Sequence, residues 1–161
     1  MESSELDRKT ADEIRILMTK TGHTLSTAES CTSGRIAATL TSVEGASDYV
    51  QGGIVAYQND IKTRFLGVPK EMIEEYDVVS EPVVKAMVKG ACHLFSTDYA
   101  IASTGYAGSG ANGICSGTIW IGWGKPDDLH AVCLNENMGR EKNTAHAAET
   151  ALIEFLRYIK G

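Results

Sequence analysis

Hydrophobic residues recur at helical or strand spacing along most of the chain. Apolar positions over residues 6–18 follow the 3.6-residue period of an amphipathic helix, which is predicted to end near Gly22. A β-prone run over residues 24–28 comes next, and a second helical pattern starts at Arg35 and extends to about Ser42. The first quarter of the chain therefore predicts a helix, a strand and a helix.

The middle of the chain predicts one strand followed by helical segments. Residues 49–57 have the pattern of the strand, in which the glycines at 52–53 indicate a bulge or a close approach of another backbone. Short helical segments follow at residues 60–66 and from Pro69 onward. A longer apolar face over residues 80–95 predicts a helix with proline in its first turn.

The last third predicts three strands and a helix. Residues 99–102 are wholly apolar, as expected for a strand that is covered on both faces. A glycine-rich stretch over residues 105–117 precedes two strand patterns, 118–123 and 130–134, whose connection is typical of an antiparallel hairpin. A final amphipathic pattern over residues 145–159 predicts the last helix.

This order of elements predicts an α/β fold, namely a three-layer α/β/α sandwich on a mixed, mostly parallel sheet. The chain has 161 residues, which suits one domain with a sizeable core. No internal repeat or linker interrupts the pattern. We therefore expect a single domain over residues 1–161.

Charge and cysteine usage narrow the class of protein. The net charge of −6, without a dense Lys/Arg cluster, argues against a nucleic-acid partner. No apolar run reaches the roughly 18 residues that span a bilayer, and the first twenty residues are too charged for a signal peptide, so we expect no membrane partner. The four cysteines lie far apart, which indicates reduced thiols in a cytoplasmic protein. The four histidines are scattered, so we expect no metal.

Ser30 is the first candidate for chemistry, because it lies between a strand end and a helix start. A hydroxyl at this position can project from the tip of a sheet, and the N–H groups of the first helical turn can face the group that it attacks. The alternative is that Ser30 or Thr32 only caps the helix. Cys31 is a rival nucleophile, although a small buried side chain is the simpler interpretation of this residue.

Lys62 is the second candidate, in the segment that runs from Tyr57 at a strand end into the next helix. A partly buried lysine near the positive end of a helix has a lowered pKa, and a neutral lysine beside a serine is a workable general base. Tyr57 can relay the proton. The alternative is that Lys62 is an ordinary solvated helix residue.

The glycine-rich loop offers many backbone N–H groups. Gly108, Gly110 and Gly113 form a G-x-G-x-x-G pattern. A dinucleotide site needs a helix after this pattern, whereas a strand follows here. A cradle for a phosphate or a ribose, built from backbone amides, is the interpretation that remains.

Three blocks of sequence carry a family resemblance: TAESCTSG at 27–34, AYQNDIK at 56–62 and STGYAG at 103–108. Together with further matching blocks along nearly the whole chain, they are similar to the C-terminal domain of the CinA family, which also occurs as a stand-alone nicotinamide mononucleotide deamidase. The resemblance implies hydrolysis of the carboxamide of nicotinamide mononucleotide to nicotinic acid mononucleotide and ammonia. It also implies the α/β/α sandwich, a homo-oligomer, and no cofactor or metal.

The resemblance also assigns site residues. It implies that Ser30 is the nucleophile, that Lys62 and Tyr57 assist it, and that Ser47 lies at the site, where it is the alternative nucleophile. The residues that it places against the substrate are Thr32, Ser33, Ser47, Thr104, Gly105, Gly108 and Arg140. Arg140 opens the last helix, where its planar fork suits a phosphate. The alternatives are that Arg140 pairs with Glu141 or Glu149, or that Lys142 contacts the anion.

Two departures from the family pattern stand beside the resemblance. Ser33 replaces the first of two glycines that usually follow the serine motif, and the glycine-rich loop lacks proline and carries Tyr106. These changes point to a reshaped substrate pocket. They leave open a second function, a nucleotide-binding or interaction module of the same fold with weak or no hydrolysis.

Overall fold

The structure is a computed structural model that describes residues 4–161; residues 1–3 of the predicted domain lie outside the described residues. The helices are α1 (Glu5–Thr21), α2 (Arg35–Leu40), α3 (Asn59–Leu66), α4 (Lys70–Tyr76), α5 (Glu81–Phe95) and α6 (Arg140–Lys160), with a short 3-10 helix over Ala46–Asp48. The strands are β1 (Leu25–Glu29), β2 (Val50–Val55), β3 (Tyr99–Gly105), β4 (Ile119–Lys125) and β5 (Asp128–Leu134). The predicted elements are thus present in the predicted order.

The strands form one sheet in the order β2-β1-β3-β4-β5. β1 pairs in parallel with β2 and β3, whereas β4 pairs antiparallel with both β3 and β5. Every strand except β4 therefore runs in the same direction. The prediction of a mixed, mostly parallel sheet is confirmed.

Helices cover both faces of the sheet, which confirms the three-layer sandwich. On one face α1, α2 and α6 pack together, with Ile14, Leu40 and Phe155 fully buried between them and the sheet. On the other face α5 lies across the strands and carries α3 and α4, with Val84 and Met87 in the core. Burial of these apolar stripes is what holds the layers together.

Two local predictions can be compared with the register of the sheet. Leu25 pairs with Val50 and Ser26 with Gly52, so Gln51 is the extra residue of a bulge, as the paired glycines indicated. The hairpin between β4 and β5 is tighter than predicted, because the strands extend inward to Lys125 and Asp128 and leave a two-residue turn.

The edge of the sheet that carries the candidate site residues is formed by the carboxyl ends of β1 and β3. From β1 the chain turns toward β2, whereas from β3 it turns toward β4, so the two connections leave a crevice between them. Ligands of open α/β sheets bind in crevices of this kind. Ser30 follows β1 directly, and its N–H donates to the carbonyl of Ser103 on β3 at 3.1 Å.

Ser33 lies in a strained backbone conformation in the turn between β1 and α2. Its φ is +51°, in the left-handed region that favours glycine, and the sequence places serine where the family usually has glycine. Ser96, which caps α5, also has a left-handed φ, of +53°. Ser47 in the 3-10 helix does not have a positive φ.

We predict that Ser33→Gly raises the free energy of unfolding by about 0.5–1 kcal/mol, since it relieves a left-handed conformation that an L-residue adopts at a cost. The measurement is urea unfolding followed by circular dichroism. Ser96→Gly should stabilise the protein by a similar amount, whereas Ser47→Gly should destabilise it. Equal effects at all three serines would contradict the argument.

Candidate active site

Ser30 and Lys62 form a buried pair at the crevice. The Nζ of Lys62 donates to Ser30 Oγ at 3.1 Å and to the carbonyl oxygen of Tyr57 at 3.1 Å. Lys62 is 1% exposed and Ser30 is 8% exposed. The structure therefore excludes the alternative that Lys62 is a solvated helix lysine, and it brings the proposed nucleophile and base into direct contact.

Burial changes the acid–base behaviour of Lys62. Removing its ammonium group from water lowers the pKa from 10.5 to about 8. No carboxylate lies within ion-pair distance of Lys62 in the part of the chain that the structure describes, and the smaller, opposite effect of the nearby Cys31 on this pKa does not reverse the shift. At neutral pH the unprotonated fraction of Lys62, which is able to accept a proton, is thus much larger than that of a solvated lysine.

The turn after β1 differs from the predicted capping arrangement. The residue that caps α2 is Gly34, without a side-chain hydrogen bond, so neither Ser30 nor Thr32 is the cap. The N–H groups of Ile36 and Ala37 instead donate to the buried carboxyl group of Glu29, at 2.9 and 3.0 Å. The first turn of α2 therefore faces Glu29 and is not free to face a reacting group, which corrects the prediction.

A chain of hydrogen bonds ties this carboxyl group to β3. Thr32 Oγ1 donates to Glu29 Oε1 at 2.6 Å and lies 2.7 Å from Ser103 Oγ, which accepts from the N–H of Ser30 at 3.3 Å. Thr32 is 3% exposed. It holds the turn that carries Ser30 and does not line the cavity at Ser30, so the prediction that Thr32 contacts substrate is wrong.

Cys31 lies in the wall of the cavity but is a poor nucleophile. Burial raises the pKa of its thiol to about 12, so the reactive thiolate is scarce at neutral pH. The group of Cys31 that can contribute to the site is its backbone N–H and not its sulfur. The N–H groups of Cys31 and Thr32 find no hydrogen-bond acceptor among residues 4–161, but only Cys31 lines the cavity, so its N–H is the one available beside Ser30.

Tyr57 and Arg140 meet across the mouth of the cavity. Nη2 of Arg140 donates to Tyr57 Oη at 2.9 Å. The guanidinium of Arg140 also lies so close to the backbone of Gly108 that a Cβ at this position would be 2.7 Å from it, so a larger residue here would displace the guanidinium. The phenol of Tyr57 is thus engaged by Arg140 and not by the Ser30–Lys62 pair, whereas its backbone carbonyl contacts Lys62. Among the described residues, Arg140 makes no ion pair with Glu141 or Glu149.

Asn143 fixes Arg140 against the glycine-rich loop. It lies almost one turn after Arg140 on α6 and is 2% exposed. Its Nδ2 donates to the carbonyl oxygen of Ala107 at 2.9 Å, and its Oδ1 accepts from the N–H of Met138 at 2.8 Å. The start of α6 is therefore bound to the loop that carries Gly108.

These residues enclose a cavity of about 310 Å³. Its volume is at the lower end of the range of small-molecule sites. The hydroxyl of Thr104 donates to the carbonyl of Val78 at 2.9 Å, which leaves its oxygen as an acceptor. The lining residues are Ser30, Cys31, Tyr57, Asn59, Val78, Val79, Thr104, Gly105, Tyr106, Ala107, Gly108, Ser109 and Arg140.

Two further predicted residues do not join this cavity. Ser47 precedes β2, whose first residue pairs with the first residue of β1, whereas Ser30 follows the last residue of β1. The length of a five-residue strand, roughly 16 Å, therefore separates the two serines. Ser33 is exposed and outside the lining. The predictions that Ser47 and Ser33 contribute to the site are corrected.

Sequence reasoning missed Glu29, Ser103, Asn59 and Asn143. Ser103 lies within the motif STGYAG, and Glu29 lies within TAESCTSG. Both motifs pointed to the site, but the roles within them were assigned to other residues. Among residues 4–161 no group of three His, Cys, Asp or Glu residues has the geometry of a metal site. No helix in the same range is long and apolar enough to cross a membrane.

Comparison with known proteins places these features in a family. Residues 7–159 match the family model described as the CinA C-terminal domain. A CinA-like protein of Mycolicibacterium gilvum is 38% identical over 148 residues, which cover 91% of this chain and 35% of that protein. A CinA-like protein of Cytophaga hutchinsonii is 40% identical over 146 residues, which cover 89% of this chain and 35% of that protein. The chain thus spans about a third of the length of these relatives.

Solved structures show the same fold over nearly the whole chain. The competence/damage inducible protein CihA from Agrobacterium tumefaciens is 30% identical with a TM-score of 0.93, covering 100% of this chain and 99% of that one. The competence damage-inducible protein A (ComA) from Klebsiella pneumoniae is 29% identical with a TM-score of 0.92, covering 96% and 97%. This chain belongs to the CinA C-terminal domain family.

Proposed function

We propose that this protein is an amidohydrolase that converts nicotinamide mononucleotide to nicotinic acid mononucleotide and ammonia, with Ser30 as nucleophile and Lys62 as general base. The observation that carries the proposal is the buried contact of 3.1 Å between Lys62 Nζ and Ser30 Oγ. A serine activated by an adjacent base is the arrangement that acyl transfer requires. The substrate is taken from the family resemblance.

The lowered pKa of Lys62 makes this pair effective near neutral pH. With a pKa of about 8, about one lysine in ten is unprotonated at pH 7, against about one in three thousand at the ordinary pKa of 10.5. Unprotonated Lys62 removes the proton of Ser30 as Oγ attacks the carboxamide carbon. The resulting ammonium group then returns this proton to the leaving nitrogen, the C–N bond breaks, and ammonia departs.

The remaining steps use the same groups. The oxyanion that forms during the attack is received by the free N–H group of Cys31, which lies in the turn of the nucleophile and lines the cavity. The acyl group is left as an ester on Ser30. Lys62 then takes a proton from water, the hydroxide attacks the ester carbon, and the proton passes to Ser30 Oγ as nicotinic acid mononucleotide is released.

Arg140 supplies the positive charge that a mononucleotide phosphate needs. The protein has a net charge of −6, yet Arg140 is the one basic residue in the cavity lining given above. Its fork matches two phosphate oxygens. Tyr57 binds the guanidinium at the mouth of the cavity, and Gly108, which has no side chain, leaves room for it. Tyr57 therefore supports Arg140 in this proposal and is not assigned a role in proton relay.

We predict that Ser30→Ala abolishes ammonia release without unfolding the protein, because the change removes the attacking oxygen and only one atom of volume. Ammonia release from nicotinamide mononucleotide is the measurement, with circular dichroism as the test of folding. Ser47→Ala is the control and should keep wild-type activity. Activity retained by Ser30→Ala would exclude Ser30 as nucleophile. A wild-type protein that binds the mononucleotide without releasing ammonia would instead support the binding-module alternative.

Lys62 should set the pH dependence of the reaction. Because the base acts in its unprotonated form, kcat should rise about tenfold per pH unit below the pKa of about 8 and level off above it. Lys62→Met should remove this rise and lower kcat at least a hundredfold. Lys62→Arg should not restore activity, since a guanidinium does not lose its proton.

The exposed Lys89 provides the matched control for this prediction. Lys89→Met should leave both kcat and the pH profile unchanged. The melting temperature of Lys62→Met should not fall, because an apolar side chain of similar length avoids the burial of a charge. A raised KM with an unchanged kcat in Lys62→Met would make Lys62 a binding residue.

Arg140→Ala should raise KM for the mononucleotide and leave KM for nicotinamide riboside, which lacks the phosphate, nearly unchanged. The measurement is kcat/KM for both substrates, and their ratio should approach one in the variant. Tyr57→Phe should shift the ratio of the two kcat/KM values in the same direction as Arg140→Ala but by less, because it removes only the hydroxyl group that binds Arg140. Lys142→Ala, on the exposed start of α6, is the control. An unchanged preference for the phosphorylated substrate would remove Arg140 from the site.

A further inference from the structure

Asp77 joins three segments of the chain beside the cavity at Ser30. It lies between α4 and α5 at φ +72° and ψ 157°, a conformation that is rare for residues other than glycine. Its Oδ2 accepts from the N–H of Val79 at 2.9 Å and from Tyr106 Oη at 3.0 Å. Its Oδ1 accepts from Asn112 Nδ2 at 2.9 Å. We call this set of hydrogen bonds to Asp77 the clasp.

The clasp lies outside the cavity at Ser30 and contacts the wall of this cavity at Tyr106. Tyr106 and Val78 line the cavity at Ser30 and also a neighbouring one of about 590 Å³, whereas Asp77 lines only the second. The ring of Tyr106 is therefore part of the partition between the two cavities. Its phenol is bound to Asp77, so the position of this partition depends on the clasp.

The backbone around Tyr106 is fixed independently of the clasp. The N–H of Tyr106 donates to the carbonyl of Thr118 at 2.9 Å, and its own carbonyl accepts from Gly117 at 2.7 Å. Because both backbone groups of Tyr106 are engaged, loss of the clasp frees the phenol ring and the loop tip at Asn112 without unravelling β3. The clasp is thus separable from the fold of the sheet.

We propose that Asp77 is a positioning residue for the amide hydrolysis proposed above, on which this inference rests: it holds Tyr106 and the glycine-rich loop in the binding geometry before substrate arrives. A site that is ordered in advance does not lose binding energy to ordering. Asp77 contacts neither Ser30 nor Lys62 in the described chain. Its loss therefore weakens substrate binding and leaves the chemical step intact.

The test compares two variants that break the clasp. Asp77→Asn keeps the backbone conformation and replaces one acceptor oxygen by a donor, and Tyr106→Phe removes only the hydroxyl group. Each should raise KM for the mononucleotide about tenfold, the effect of losing a hydrogen bond to a carboxylate, with kcat within about twofold of wild type and the same pH profile. The two effects should not add in the double variant, because both remove one shared interaction.

Matched controls come from equivalent contacts elsewhere. Asp98 accepts from the N–H of Thr24 at 2.9 Å at the opposite end of the sheet, so Asp98→Asn is the same chemical change away from the cavity. Tyr158 donates to Asp128 at 2.7 Å, so Tyr158→Phe loses the same type of bond as Tyr106→Phe. Both controls should leave KM unchanged.

Hydrogen–deuterium exchange tests the clasp independently of catalysis. Amides in residues 107–116 should exchange faster in the two clasp variants than in wild type, whereas amides in residues 25–36 should not. Unchanged loop exchange, an unchanged KM, or a kcat that falls together with the rise in KM would overturn the inference. A wild-type protein that does not hydrolyse the mononucleotide would overturn the proposed function, and loop exchange would still show whether the clasp orders the loop.

Discussion

Burial of a single amine, that of Lys62, is the constraint on which the site depends. In water this group is protonated and inert as a base, and only its exclusion from solvent lowers its pKa to about 8. The exclusion requires the α5 layer, the ends of the parallel strands and the turn after β1 to close around it. The acid–base behaviour of Lys62 and the packing of the tertiary structure are therefore not separate properties of this molecule.

The turn that carries Ser30 depends on a second buried polar group. The carboxyl group of Glu29 accepts from the N–H groups of Ile36 and Ala37 in the first turn of α2 and from the hydroxyl of Thr32. The adjacent amide of Cys31, which lines the cavity, has no internal acceptor among residues 4–161. The structural carboxyl group thus takes up two donors of α2, and the amide of Cys31 remains free for the proposed chemistry.

Local pattern was enough to predict the elements and the convergence of Ser30, Lys62 and Thr104, because residues that follow parallel strands meet at one edge. The same reasoning failed for Ser47, which precedes its strand and lies at the other edge. Glu29 and Asp77 could not be assigned from pattern, since a charged residue in a strand or turn ordinarily indicates solvent. The donors to Glu29 are brought to it by a turn in which Ser33 has a left-handed φ, and Tyr106, which donates to Asp77, is 29 residues away, so only the assembled fold reveals these contacts.

The position of Arg140 ties the mouth of the cavity to the packing of the sheet. Arg140 opens α6, and the same helix covers one face of the sheet through Phe155. A substitution in the core that shifts α6 would therefore also displace the guanidinium at the mouth of the cavity. The stability of this layer and the proposed anion contact are thus linked through one helix.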